Sequence, residues 1–353
     1  MEEQIDLKLF TVADLKQYFV HNQPVDLLTD EVITRSRAFA TIHNPYVTDD
    51  MAVVSALFVD RKIVAYTYVF PDQLVRPDKL IFWNTVLYVD KAYEGRGYGA
   101  IVIGQMVEVY GDAYFDLDAV PASVGNLQFA GLQVDYVDQY YLEKKHINTS
   151  SVRGKMADIV EQWRMCHNAE EASLRTVIEN ADYELRYVND IDDDTYAFIL
   201  NHSKKDLFLR SQDMFNWILT YPMAGESPLV QRVQDSCYFH SITPRFRRYA
   251  VQVRYANQLV GFYIFRDTEN ELYIEYLYMS EDHEQVVYAS IAEHVLQFRR
   301  NKFFTADKRL ATWLNGYHLY AHFNVYHKSF SHPKEYVWTE DQLIQAGDGD
   351  NII

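Results

Sequence analysis

"YVDKAYEGRGYGAIVIGQM", residues 88–106, sets Gly95, Gly97 and Gly99 between an apolar run and a stretch with helical spacing. Glycine accepts positive φ and lets another group approach the backbone closely. In a turn from strand to helix, the free N–H groups of the helix's first turn point outward together. Their donors and the helix dipole favour an anion, so the expected ligand is phosphate-like. Arg96 adds a charge-assisted contact. A Walker loop needs Lys and then Ser or Thr, whereas Ala100 and Ile101 follow the last glycine here. A dinucleotide fingerprint needs G-x-G-x-x-G at the first βα turn, whereas "GRGYGA" comes after several strands. The competing reading is a tight glycine turn that holds nothing.

Working outward, hydrophobic periodicity predicts a strand at 5–11 and helical stretches in "VADLKQYFVHN" and "DEVITRSRAFATIH". A hairpin of strands follows at 52–60 and 63–70, then a long strand at 79–90 rich in β-branched and aromatic residues. After the glycines come a helix over 98–110, a strand at 113–120, a short helical or looped piece and a strand at 134–145. The order then repeats: a strand at 183–189, two helical stretches, a hairpin at 247–255 and 258–265, a strand at 271–282 and a helix at 283–300. "TVLYVDKAYEGRGYGAIVIGQMVEVY" (85–110) lies against "EYLYMSEDHEQVVYASIAEHVLQFRR" (275–300) without a gap, and Val287 and Ala289 stand where Gly97 and Gly99 do. A repeat of this length predicts two copies of one fold, the second without the glycines and without the ligand.

The bulk numbers agree with a globular protein. Of the 353 residues, 48% are hydrophobic and 15% aromatic, enough for two packed cores. The formal net charge of −17 makes nucleic acid a poor partner. Cys166 and Cys237 read as reduced thiols, not a disulfide scaffold. "MEEQIDLKLF" lacks a signal-peptide h-region and no run is long enough to span a membrane, so the expected location is cytoplasmic. The polar tail "QAGDGDNII" is expected to fray.

The run "LYVDKAYEGRGYGAIVIGQM" resembles the acetyl-CoA signature of the GNAT N-acetyltransferase superfamily, and the element order around it is similar over residues 5–145. A fainter copy covers about 183–335. The resemblance implies an α+β fold with a mixed sheet, in two tandem domains: 1–145, a helical connector at 146–180, a degenerate domain at 181–340 and a flexible tail at 341–353. It implies that the amides of Glu94, Gly95, Arg96, Gly97, Tyr98, Gly99 and Ala100 bind the pyrophosphate of coenzyme A. Leu87, Tyr88 and Val89 would splay from the neighbouring strand and pair with the pantetheine amides, as an extended chain completes a sheet edge. Glu94 stands where the family has Gln or Arg, and a carboxylate there opposes a pyrophosphate.

Catalytic residues are less marked. Asn126 matches the family's helix Asn, with Ser123 as rival under another gap placement, but no register brings a tyrosine to the position of the family's acid. Tyr136 is the nearest substitute, with Tyr140 and Tyr141 close by. An acceptor for the amine's proton is sought in Asp118, Asp116 or Tyr88. His318 and His322 have zinc-ligand spacing only on a helix, and "HLYAH" reads as a strand, so no metal is expected. "DIDDD" (190–194) reads as a helix N-terminus. The implied activity is acetyl transfer from acetyl-CoA to a primary amine of a small molecule or peptide. A non-catalytic CoA-binding or regulatory protein, or transfer of another acyl or aminoacyl group, are the alternatives. Acceptor and oligomeric state are left open.

Overall fold

The structure, a computed structural model, describes residues 3–76, 78–119, 121–144, 153, 155–157, 159, 160, 169–221, 246–339 and 342–349. Cys166, Cys237 and part of the expected connector lie outside the described residues. The chain forms two compact units, one of Met1–Val137, Lys205–Phe246 and Lys328–Ile353, the other of Asp138–Lys204 and Arg247–His327.

In the first unit, β1 (Ile5–Thr11), β2 (Ala52–Val59), β3 (Lys62–Arg76) and β4 (Asp78–Val89) form an antiparallel run. β2, "AVVSALFV", is buried along its whole length because helices cover both faces of the sheet. One face packs on α1 (Val12–Leu15), α2 (Arg35–Ile42) and α7 (Gln212–Thr220) through Leu15, Ala38, Met214 and Trp217. The other packs on α3 (Tyr98–Tyr110) and α4 (Pro121–Phe129) through Ile103, Met106 and Leu127. β5 (Tyr114–Leu117) runs parallel to β4 and antiparallel to the end of β13 (His322–His332), where Ser331 faces Asp116. Leu74 and Arg76 of β3 also pair with β8 (Leu209–Arg210).

The second unit repeats the plan. β7 (Glu184–Val188) pairs with β9 (Phe246–Tyr255), β10 (Gln258–Thr268) pairs with β11 (Glu271–Met279), and β11 runs parallel to β12 (Lys302–Thr305). The end of β6 (Gln133–Glu143) lies antiparallel to β12. The core of this unit packs on α5 (Ala169–Asn180), α8 (Glu284–Phe298) and α9 (Lys308–Asn315) through Leu174, Ile291 and Leu310. Asp192, from the acidic run, caps α6 (Asp193–His202) by accepting from the Thr195 N–H at 2.8 Å.

The repeat is visible in the register. β3 and β4 pair Tyr68 with Val86 and Val69 with Asn84, leaving Thr85 as a bulge. β10 and β11 pair Ile264 with Tyr276 and Phe265 with Ile274, leaving Glu275 as a bulge. Thr85 and Glu275 are the residues that the gapless alignment sets opposite each other.

Three local expectations are corrected. The helix expected across "DEVITRSRAFATIH" begins only at Arg35, where the Thr34 hydroxyl caps it by accepting from the Arg37 N–H. The strand in "HLYAH" starts at His322. Fraying does not apply to residues 342–349, since Ile344, Gln345, Ala346 and Asp348 are all buried. The reason is pairing that composition does not display: the Leu207 N–H donates to Leu343 O and the Leu343 N–H to Lys205 O, each at 2.7 Å, and Asp348 lies 3.2 Å from the buried Arg210 guanidinium.

Candidate acyl-CoA site

The glycine turn is entered through a fixed corner. The Asp90 N–H donates to the Val64 carbonyl at 2.7 Å, and the Asp90 side chain accepts from the Ala92 N–H at 2.9 Å and from Lys62 at 2.9 Å. These bonds close the 3-10 turn Lys91–Tyr93. Gly95 and Gly97 then take φ of +78° and +79°, a region costly for residues with a Cβ. A Cβ on either would meet nothing within 4 Å, so the glycines serve the backbone path and leave open space above it. Gly99 serves close packing: a Cβ there would lie 2.8 Å from Asn126 Nδ2 and 3.2 Å from Val89 Cγ2.

α3 starts at Tyr98 with Gly97 as its N-cap. The Ile101 N–H is the first to find an acceptor, Gly97 O at 3.1 Å. Among the described residues, the N–H groups of Gly97, Tyr98, Gly99 and Ala100 have no hydrogen-bond acceptor. Four convergent donors at a helix N-terminus form an anion cradle. Arg96 is exposed, pairs with Glu3 at 3.1 Å and lies over the Tyr93 ring at 4.8 Å. Glu94 is exposed on extended backbone at the rim of the turn.

Beside the cradle, β4 and β5 part. They pair at Phe82–Tyr114, Trp83–Phe115 and Asn84–Asp116, and no further. Beyond the Thr85 bulge, Val86 to Val89 pair with β3 on one side and have no β5 partner on the other. This places Leu87, Tyr88 and Val89 on the stretch of β4 past the last β5 rung, with Val89 against Gly99.

At the apex of the cleft lies a buried polar group that periodicity alone does not reveal. The Asp116 carboxylate is 5% exposed and accepts from Asn84 Nδ2 at 2.5 Å. The Thr67 hydroxyl lies 2.5 Å from Asn84 Oδ1. Asp116 Oδ1 and Thr85 Oγ1 are buried without a hydrogen-bond partner among the described residues. Burial is the main cause that raises the Asp116 carboxyl to about 7, and the charge of Asp118 adds to it; the Asn84 hydrogen bond and the Lys328 charge oppose it. The signal in the sequence was the pair Asn84–Thr85 interrupting the apolar run "LIFWNTVLYV".

The other expected site residues are spread apart. Asn126, on α4, walls the cradle at Gly99. Asp118 sits just past β5 with φ +75°, its N–H donating to Ser329 O at 2.8 Å. Tyr136 is 58% exposed on β6. α4, "PASVGNLQF", contains Ser123 but no tyrosine. No cluster of three metal-ligating side chains occurs among the described residues, nor is any helix there long and apolar enough to cross a membrane.

The second unit has no such cradle. α8 starts at Glu284, so residues that align with Glu94–Gly97 are a helical turn. Val287 is fully buried against Gly261, where a Cβ would come within 2.5 Å of Val287 Cγ2.

No protein-family model matches the chain, and no curated protein does. Solved structures do. A putative acetyltransferase from Pyrococcus horikoshii is 11% identical over 97% of this chain and 93% of its own, with a TM-score of 0.50. A probable N-acyltransferase from Enterococcus faecalis is 11% identical over 94% of this chain and 72% of its own, TM-score 0.50. Saccharomyces cerevisiae N-myristoyltransferase is 13% identical over 94% of this chain and 80% of its own, TM-score 0.50. Likeness at such identity concerns the fold alone. The chain shares its fold with these acyltransferase structures, and its two units repeat one plan.

Proposed function

We propose that the chain is an N-acetyltransferase that moves the acetyl group of acetyl-CoA to a primary amine, with its site in the first unit. The observation that carries this reading is the row of N–H groups from Gly97 to Ala100, lacking acceptors among the described residues, next to the stretch of β4 beyond its last β5 rung. A pyrophosphate satisfies the donors, and the pantetheine amides pair with that stretch. The lengths agree. From the last phosphate oxygen to sulfur, pantetheine spans about twelve bonds, as long as four residues of extended chain, roughly 13 Å. Val89, against the cradle, is four residues from Thr85, so the sulfur lies level with Thr85 and the acyl carbon one bond nearer Asn84, the last rung of the β4–β5 ladder. The thioester therefore comes to lie at the apex of the cleft. Asn126 fixes the α4 side of the cradle, and Arg96 swings from Glu3 to a phosphate. Of the candidates for proton transfer that the sequence offers, Asp118 lies just past β5 and Tyr136 on β6.

A second reading, a CoA-binding protein without turnover, is favoured by the lack of a tyrosine on α4. Transfer of a different acyl or aminoacyl group uses the same cradle. Thermal-shift measurements test the core of the reading. Acetyl-CoA and coenzyme A should raise the melting temperature, and Gly97→Val should abolish the response while the fold is kept. No response to any CoA ester rejects the reading. Thiol release dependent on added amine then separates enzyme from binder.

A further inference from the structure

Asn84 and Asp116 form the last rung of the β4–β5 ladder, on the sheet face that carries Tyr114 against α3 and α4. The register argued above brings the acyl carbon to this rung. The carboxylate there holds one oxygen on Asn84 and offers Oδ1 to no described residue. A buried acceptor left unmet is costly unless something else completes it. The geometry points to Asp116 as the proton acceptor for the attacking amine, a role that rests on the CoA reading.

In this step an ammonium gives one proton to Asp116 Oδ1. The freed lone pair attacks the thioester carbon and forms the C–N bond. As the C–S bond breaks, the thiolate takes the second proton of that nitrogen, leaving amide, free thiol and a protonated Asp116 that returns its proton to solvent. Asn84 is the positioning residue, and its own orientation is set by Thr67. The charged or titratable neighbours acting on Asp116 are Asp118 and Tyr114 on the β5 side and Lys328 on β13. A carboxyl raised to about 7 is matched to accepting a proton near neutral pH.

The test compares native protein with Asp116→Asn. In protein labelled with 13C at the Asp carboxyls, the resonance missing from Asp116→Asn belongs to Asp116. Adding 3′,5′-ADP, which fills only the cradle, should leave that resonance in place, and acetyl-CoA should move it. Ethylamine, an ammonium ion at pH 7, should be acetylated about 100-fold more slowly by the variant. Trifluoroethylamine, already neutral at that pH, should lose less than about fivefold. A merely structural role lowers both amines alike. If acetyl-CoA stabilises both proteins but the Asp116 resonance stays fixed, or both amines suffer equally, or native protein acetylates neither, the assignment falls while the cofactor reading stands. If neither ligand binds native protein, the cofactor reading has failed and this assignment with it.

Discussion

Single residues set what the cradle can hold. Gly97 has room for a side chain but a backbone that resists one, at φ +79°. An alanine there costs about 1–2 kcal/mol in left-handed strain, and a β-branched side chain more. Gly99 is the reverse, with helical backbone but Asn126 and Val89 at the door. Gly99→Ala should therefore push Asn126 aside and weaken coenzyme A binding by about tenfold, with little change in stability, as titration calorimetry and melting would show. Asp116 makes a pH prediction. The folded carboxyl is raised to about 7 by burial, whereas an unfolded one titrates near 4. Between those values the folded chain keeps a proton that the unfolded chain has lost, so stability falls as pH rises through the window and levels above it. Asp116→Asn removes this dependence. Relative to native protein, its unfolding free energy should gain more at pH 8 than at pH 5, by an amount on the order of 2–4 kcal/mol. A gain independent of pH in urea titrations would refute the cause.

Among the elements, those with a strong period were legible and those set by distant partners were not. The α3 limits followed from the sequence because the glycines fix its start and its apolar residues face the sheet on a helical period. β4 was legible from its β-branched and aromatic run. The bulge at Thr85 was not, because a bulge depends on which residues β3 places opposite it. The end of the chain was hidden for the same reason. Its polar, glycine-containing composition suggests solvent, yet Asp348 meets Arg210, whose Nε donates to Asp72 Oδ2 at 2.6 Å. Trp83 Nε1 donates to the same oxygen at 3.0 Å. All three charged side chains are fully buried, and burial raises the Asp348 carboxyl to about 6. Removing one partner of such a group leaves the others charged in a dry core. Arg210→Met should cost about 3–5 kcal/mol, read from denaturant unfolding. A loss under about 1 kcal/mol would mean that the network is hydrated in solution.

At the scale of the whole molecule, the duplicated plan was legible because both copies preserve strand order and hydrophobic register over the same 26 residues without a gap. Which of the candidate carboxylates lies buried where the two strands part was not, since burial and strand pairing depend on distant partners. The overall charge bears on the ligand as well. Coenzyme A is a polyanion, and the chain carries a formal −17. Three cations by the turn are matched by an acid: Lys62 with Asp90 at 2.9 Å, Arg61 with Asp26 at 2.9 Å and Arg96 with Glu3 at 3.1 Å. The cradle's attraction is short-ranged, from amides and a helix end, and falls off within a turn. The repulsion is long-ranged and reaches about 30 Å at 0.01 M salt but about 8 Å at 0.15 M. Far from the surface, then, the approaching cofactor meets mostly like charge, and salt should help it arrive. The association rate of coenzyme A, followed by stopped-flow fluorescence, should rise several-fold between those two salt concentrations. A cationic amine acceptor should show the opposite trend, attracted at low salt and slowed as salt rises. Should coenzyme A instead bind faster at low salt, the paired cations around the turn, not the net charge, govern its approach.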